Sequence, residues 1–163
     1  MSASGAAEAV QEKPRPSRTA AAYVAQTPPQ RRPARTVEQI MSSPVHSLRP
    51  DATVAAAQQF CRDHGFRHFP VHTVSGGLAG IVSDRDLLAV PPDEADKWVL
   101  HVMTERVLTA TVDTPLREVA KVMVSERVSA LPVVDAEHLV VGMVTTADLL
   151  RCIVNEAPLD LWV

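Results

Sequence analysis

The chain is poor in aromatic residues, which make up 4% of its 163 positions: three Phe, two Trp and one Tyr. Any core must therefore be built from Val, Leu, Ala, Ile and Met, supported by an overall apolar content of 46%. Cysteine is equally scarce. Cys61 and Cys152 are the two present, and neither belongs to a CxxC pair, so the expectation is two reduced thiols rather than a disulfide or a metal site. Six histidines are scattered without an HExxH or a His/Cys cluster at metal spacing, and no metal is expected. No apolar run approaches the ~18 residues that span a bilayer. The N-terminus lacks the charged-then-apolar order of a secretory signal, and prolines break any long amphipathic helix there, so a cytoplasmic protein without a membrane partner is expected. An activated nucleophile motif and paired carboxylates at catalytic spacing are also missing, which argues against an enzyme.

Charge is unevenly placed. Residues 1–35 carry Lys13, Arg15, Arg18, Arg31, Arg32 and Arg35 against Glu8 and Glu12, together with five of the 13 prolines. With a net charge of −3 for the whole chain, the remainder is strongly acidic. Residues 1–35 read as a flexible basic Pro/Ala-rich tail, with a short helix conceivable over 17–25. The cations lack interleaved aromatics, so a nucleic-acid partner is not expected.

What the sequence does contain is a repeat. Gly80-Ile81-Val82-Ser83-Asp84-Arg85-Asp86 returns 62 residues later as Gly142-Met143-Val144-Thr145-Thr146-Ala147-Asp148. The same offset relates Val37 to Val99, Met41 to Met103, Pro70-Val71 to Pro132-Val133 and Leu87-Leu88 to Leu149-Leu150, with no gap. Two copies are too few for a solenoid. The reading is a duplicated α/β unit whose halves pack about a pseudo-twofold axis, each half ordered β-α-β-β-α. The first repeat is placed at 36–90, a linker at 91–97, the second repeat at 98–155 and a C-terminal extension at 156–163.

Each repeat opens with a short amphipathic turn, Thr36–Met41 or Trp98–Met103, and a brief extended stretch. A helix follows, capped by Thr53 in one copy and by Thr114 ahead of Pro115 in the other. Two strands joined at Ser75-Gly76-Gly77 or Asp135–His138 lead to a closing helix that starts at Ser83 or Thr145.

The two heptads are where chemistry is expected. Each joins a strand end to a helix start, where backbone N–H groups and the helix dipole favour an anion. Glycine allows a ligand close to the main chain. A hydroxyl there can donate to a phosphate, and an Asp three residues on offers two acceptor oxygens to a ribose diol. The competing reading is a capping box that stabilises the helix and needs no ligand.

With Met41-Ser42 and Met103-Thr104, Arg67-His68-Phe69-Pro70-Val71 and Ala130-Leu131-Pro132-Val133-Val134-Asp135, this pattern resembles the cystathionine-β-synthase (CBS) domain in tandem, a Bateman module. The resemblance implies a regulatory module that binds AMP, ADP, ATP or S-adenosylmethionine. It implies ribose ligands Asp86 and Asp148 and phosphate contacts Ser83 and Thr145. It further implies adenine between Val45, Phe69-Pro70 and Ile81 in one site, and between Val107, Leu131-Pro132 and Met143 in the other, beside Ala130. Arg67, His68 and Arg85 would give the first site its cations, leaving the second with none of these. A homodimer of four repeats and an unidentified effector protein are implied as partners. The rival reading is an interaction or dimerisation module whose nucleotide sites are vestigial.

Overall fold

The computed structural model describes residues 34–156, with no account of the side chains of residues 155 and 156. The tail expected over 1–35 lies outside the described residues up to position 33, as does the extension from position 157. The order helix, strand, strand, helix occurs twice. Helix α1 (Val54–His64) leads to β1 (His68–His72), β2 (Leu78–Ser83) and a short α2 (Asp84–Leu88). Then α3 (Leu116–Ser125), β3 (Ala130–Val134), β4 (Val140–Thr145) and α4 (Thr146–Glu156) complete the second copy. Strand bounds obey the 62-residue offset at every end. The closing helices do not match: α4 continues for 11 residues where α2 stops after 5.

The strands form two separate antiparallel hairpins. Phe69 faces Val82 and Pro70 faces Ile81 in one; Leu131 faces Val144 and Pro132 faces Met143 in the other. The extended stretch at the front of each repeat shrinks to a single parallel bridge, Leu48 with Val71 and Ala110 with Val133. Proline accounts for this. The Leu48 N–H donates to the Pro70 carbonyl and the His72 N–H to the Leu48 carbonyl. The next rung would need an N–H from Pro70, which has none, so residues 45–47 leave the sheet. Pro132 does the same beside Ala110.

The two cores show which segments belong together. One gathers Leu48, Val54, Ala57, Phe69, Val71, Val82 and Leu87 around Val99; the other gathers Ala110, Leu116, Val119, Met123, Leu131, Val133 and Val144 around Val37. Val37 and Val99 have therefore changed sides. Each repeat's opening 3-10 turn, Val37–Gln39 or Val99–His101, completes the core of the other half. Backbone bonds secure the exchange: Ser42 and Met143 bond reciprocally, as do Thr104 and Ile81. The helix starts are tied in as well, with Val54 N–H donating to Lys97 and Leu116 N–H to Arg35. This corrects the expected cap at Thr114. That hydroxyl instead takes the Thr111 N–H at 2.9 Å, and α3 begins without a side-chain cap. Thr53 caps α1 as expected, accepting from Ala56 N–H at 3.2 Å.

The exchange also explains the heptad glycines. A Cβ on Gly80 would stand 2.7 Å from Met103 Sδ and 2.8 Å from the Thr104 carbonyl oxygen. On Gly142 it would stand 2.7 Å from Met41 Sδ and 3.1 Å from the Ser42 carbonyl oxygen. The space that was expected to admit a ligand is filled by the exchanged Met-Ser and Met-Thr segments. Gly77 and Leu139, equivalent under the offset, bridge each other across the pseudo-twofold axis.

Candidate functional site

Both heptads form the local structure that their spacing dictates. Asp86 Oδ2 accepts from the Ser83 N–H at 2.8 Å and its hydroxyl at 2.6 Å, and the Asp86 N–H returns a bond to Ser83 Oγ at 3.3 Å. Asp148 Oδ2 accepts from the Thr145 N–H at 2.9 Å and its hydroxyl at 2.7 Å, with the same return bond. These are complete capping arrangements. Asp84 and Thr146 N–H groups go to the carbonyls of Arg67 and Ser129. Three N–H groups at each helix start thus have acceptors within the protein. In addition, α2 is too short to carry much of a dipole, so anion recognition falls on cationic side chains.

A cleft of about 440 Å³ lies at the second heptad, within the size range of ligand sites. Its floor is Met143, Thr145, Thr146, Ala147, Asp148 and Arg151 from the second repeat. Its opposite wall is Ser42, Pro44, Val45 and His46, followed by Gly65, Phe66, Arg67 and His68, all from the first repeat, with Ser129 between. The departure of residues 45–47 from the sheet puts Val45 and His46 into this wall. The cleft is therefore composite. Val45 meets Met143 and Asp148, and not Ile81 and Asp86 as expected. Arg67 and His68 line the second heptad's cleft, so two of the three cations expected at the first heptad border the second as well, while Arg85 stays within the first.

Phe69 and Leu131 are corrections of another kind. Phe69 and Val71 are fully buried, Pro70 and Pro132 nearly so, and Leu131 and Ala130 are 3% and 6% exposed. Phe69 and Leu131 point into the two helix-covered cores and so hold the sheet, whereas Pro70, Pro132 and Ala130 alternate onto the opposite face, where Pro132 lies across from the cleft residue Met143. Ile81, Ser83, Arg85, Asp86 and Val107 occupy the positions equivalent, under the 62-residue offset, to Met143, Thr145, Ala147, Asp148 and Val45.

Three residues that the sequence reading did not assign to the site stand out. Phe66 stacks on His46 with ring centroids 5.1 Å apart and planes at 30°, within a cluster that holds all three phenylalanines. The equivalent positions carry Val128 and Leu108, so one half has an aromatic wall and the other an aliphatic one. Arg151 Nη1 donates to Asp148 Oδ1 at 2.8 Å. Its i,i+3 spacing from Asp148 on a helix was the available signal.

His68 Nε2 lies 3.1 Å from Ser129 Oγ, joining the two halves. Burial pushes its pKa below the ordinary histidine value; Asp84 and Asp86 oppose this, while Arg67 and Arg85 reinforce it. A histidine held neutral in the fold stabilises the fold above the unfolded pKa of about 6.5, and that contribution is lost as pH falls below it. The urea midpoint of the wild type should therefore drop between pH 7.5 and 5.5 by more than that of His68→Gln. Equal drops would show that His68 titrates alike in both states.

Among the described residues no group of three or more His, Cys, Asp or Glu is placed to hold a metal, and no helix is long and apolar enough to cross a membrane.

The profile of the family described as "CBS domain" matches residues 37–93 and again 99–155. An L-aspartate semialdehyde sulfurtransferase of Methanocaldococcus jannaschii is 32% identical over 127 residues, 78% of this chain, which spans only 25% of that protein. A CBS domain-containing protein of Dictyostelium discoideum is 32% identical over 132 residues, covering 73% of this chain and 91% of its own. Among solved structures, the CBS domain pair of protein MJ0100 in complex with 5′-methylthioadenosine and S-adenosylmethionine has a TM-score of 0.66 at 31% identity, covering 71% of this chain and 93% of that one. CBSX2 in complex with AMP has a TM-score of 0.67 at 28% identity, covering 72% and 95%.

Proposed function

The chain belongs to the CBS domain family as a tandem pair, and from that premise we propose that it is a regulatory module that takes an adenosine nucleotide in the cleft between its repeats. The carrying observation is the division of labour within that one cleft. Val45, Phe66 and Met143 give an apolar and aromatic face for a base. Asp148 gives a buried carboxylate for a diol, and Arg67, His68, Arg151 and the Thr146 hydroxyl give an anion-binding rim. The complexes of MJ0100 with S-adenosylmethionine and of CBSX2 with AMP support the ligand class.

Because both repeats build the cleft, a bound nucleotide bridges them. Its binding energy favours whichever arrangement of the halves closes on it, which is the requirement for signalling to a second protein. The effector is a separate protein that reads this arrangement. Leu88, Leu150, Ile153 and Val154 expose apolar side chains on the closing helices α2 and α4 and are the proposed contact with a second copy of the chain.

The test is thermal unfolding of the whole chain with AMP, ADP, ATP and S-adenosylmethionine. A ligand at 100 times its dissociation constant adds ~2.7 kcal/mol and should raise the midpoint by roughly 5–10 °C. Asp148→Asn should abolish most of that rise while leaving the unliganded midpoint within a few degrees, since the amide oxygen of Asn can still accept from the Thr145 N–H and hydroxyl. A rise unaffected by Asp148→Asn would remove the cleft from the reading. No rise with any of the four at millimolar concentration would favour the interaction module.

A further inference from the structure

The two heptads are alike up to their aspartates and then diverge. Three residues beyond Asp148 stands Arg151; three residues beyond Asp86 stands Ala89. The consequence is visible at the carboxylates. Asp148 is engaged at both oxygens, Oδ2 by the cap and Oδ1 by Arg151. Asp86 is engaged through Oδ2 alone among the described residues. A ribose diol needs a carboxylate acceptor, and at Asp148 the oxygen that the cap leaves over is already taken.

The Arg151 contact is built to be exchanged. The carboxylate is closed in, with 8% of its side chain exposed, whereas the arginine side chain is 68% exposed and borders the same cleft. One bond holds it, at i,i+3 spacing on α4, and the arginine end stays in solvent, so its guanidinium can leave without being desolvated. A phosphate would offer the guanidinium a doubly charged partner and two parallel bonds in place of one. The Thr146 hydroxyl and Arg67 line the same cleft.

We propose that Arg151 is a built-in counterion of the second cleft, resting on Asp148 when the cleft is empty and transferring to the phosphate when a 5′-phosphorylated adenosine enters. The transfer releases Asp148 Oδ1 to the ribose. An uncharged adenosine must displace Arg151 without offering it a new partner. This cleft therefore selects phosphorylated over unphosphorylated nucleosides, and the equivalent position at Asp86, followed by Ala89, lacks the device. The inference rests on the nucleotide-binding reading above and assigns its phosphate selectivity to one residue.

The experiment is calorimetric titration of the full chain with AMP and with adenosine, in an Asp86→Asn background so that the second cleft dominates the signal. AMP should bind at least tenfold tighter than adenosine. Arg151→Ala should weaken AMP about tenfold, leave adenosine equal or tighter, and flatten the salt dependence of AMP binding. Arg151→Lys should restore part of the AMP affinity. With Asp86 intact and Asp148→Asn silencing the second cleft, Ala89→Arg should raise the AMP-to-adenosine preference of the first. Equal weakening of AMP and adenosine by Arg151→Ala, or unchanged AMP affinity, would overturn the role of Arg151 while leaving the nucleotide reading intact. If the chain with both aspartates intact binds neither probe at millimolar concentration, both fail together.

Discussion

Phe69→Ala is expected to lower the unfolding free energy by about 3–5 kcal/mol, the usual cost of emptying a buried phenylalanine site. The ring is fully buried in the first core, beside Val71, Val82 and the exchanged Val99. It also packs against Phe60 at a centroid distance of 5.4 Å. Nothing nearby can collapse readily into the space, because β1 is pinned to β2 on one side and to Leu48 on the other. Against a typical total of 5–15 kcal/mol, such a loss leaves a marginal fold. Urea denaturation followed by circular dichroism reads it directly. A side chain that served chiefly to sandwich a base would give the opposite pattern: a nearly unchanged midpoint and a large loss of nucleotide affinity.

Gly80→Ala is the second large effect, expected at about 1–3 kcal/mol or above, from overpacking. The methyl group would meet Met103 Sδ at 2.7 Å and the Thr104 carbonyl oxygen at 2.8 Å. The thioether can swing away, but the carbonyl cannot. It accepts the Ile81 N–H at 3.0 Å, and the Thr104 N–H donates back to Ile81 at 2.8 Å. Relief therefore requires breaking the ladder that holds the exchanged segment. Gly142→Ala should cost less, since its main-chain neighbour, the Ser42 oxygen, is 3.1 Å away and its closest contact is the movable Met41 sulfur. Comparing the two urea midpoints tests the ordering. Equal and negligible costs would mean that the exchanged segments do not sit tightly on β2 and β4.

The 62-residue offset carried the fold from the sequence with little loss. The same offset that matches Gly80 to Gly142 matches the ends of β1 to those of β3 and the ends of β2 to those of β4. Thr53, the Ser75-Gly76-Gly77 turn and the heptad caps were legible because their chemistry is local. What could not be read was partnership. Two halves of the same fold offer each opening turn two similar docking places, and sequence alone does not say whether Val37 enters its own core or the other. From that ambiguity came the placing of Val45 against Ile81, and it hid that Arg67 and His68, which neighbour Asp84 and Ser83, also border the second heptad's cleft. Phe69 and Leu131 were misplaced for a different reason. In an apolar-Pro-Val strand either face could be the ligand wall, and the choice depends on which face the helices cover. Arg151 lay beyond the matched heptad, where the copies stop resembling each other.

Because each opening turn is lodged in the opposite half, neither repeat possesses a complete interior. A chain cut within 91–97 would yield two pieces, each carrying the other's missing wedge: Val37 travels with the first piece and fills the second, and Val99 travels with the second and fills the first. The pieces would be complementary fragments, not autonomous domains, held by mutual insertion and not by the peptide link. A single ancestral repeat could have closed its core in the same way only by trading turns with a twin. On that view the linker, with its Pro92–Glu94 turn, joined two subunits that were already interlocked.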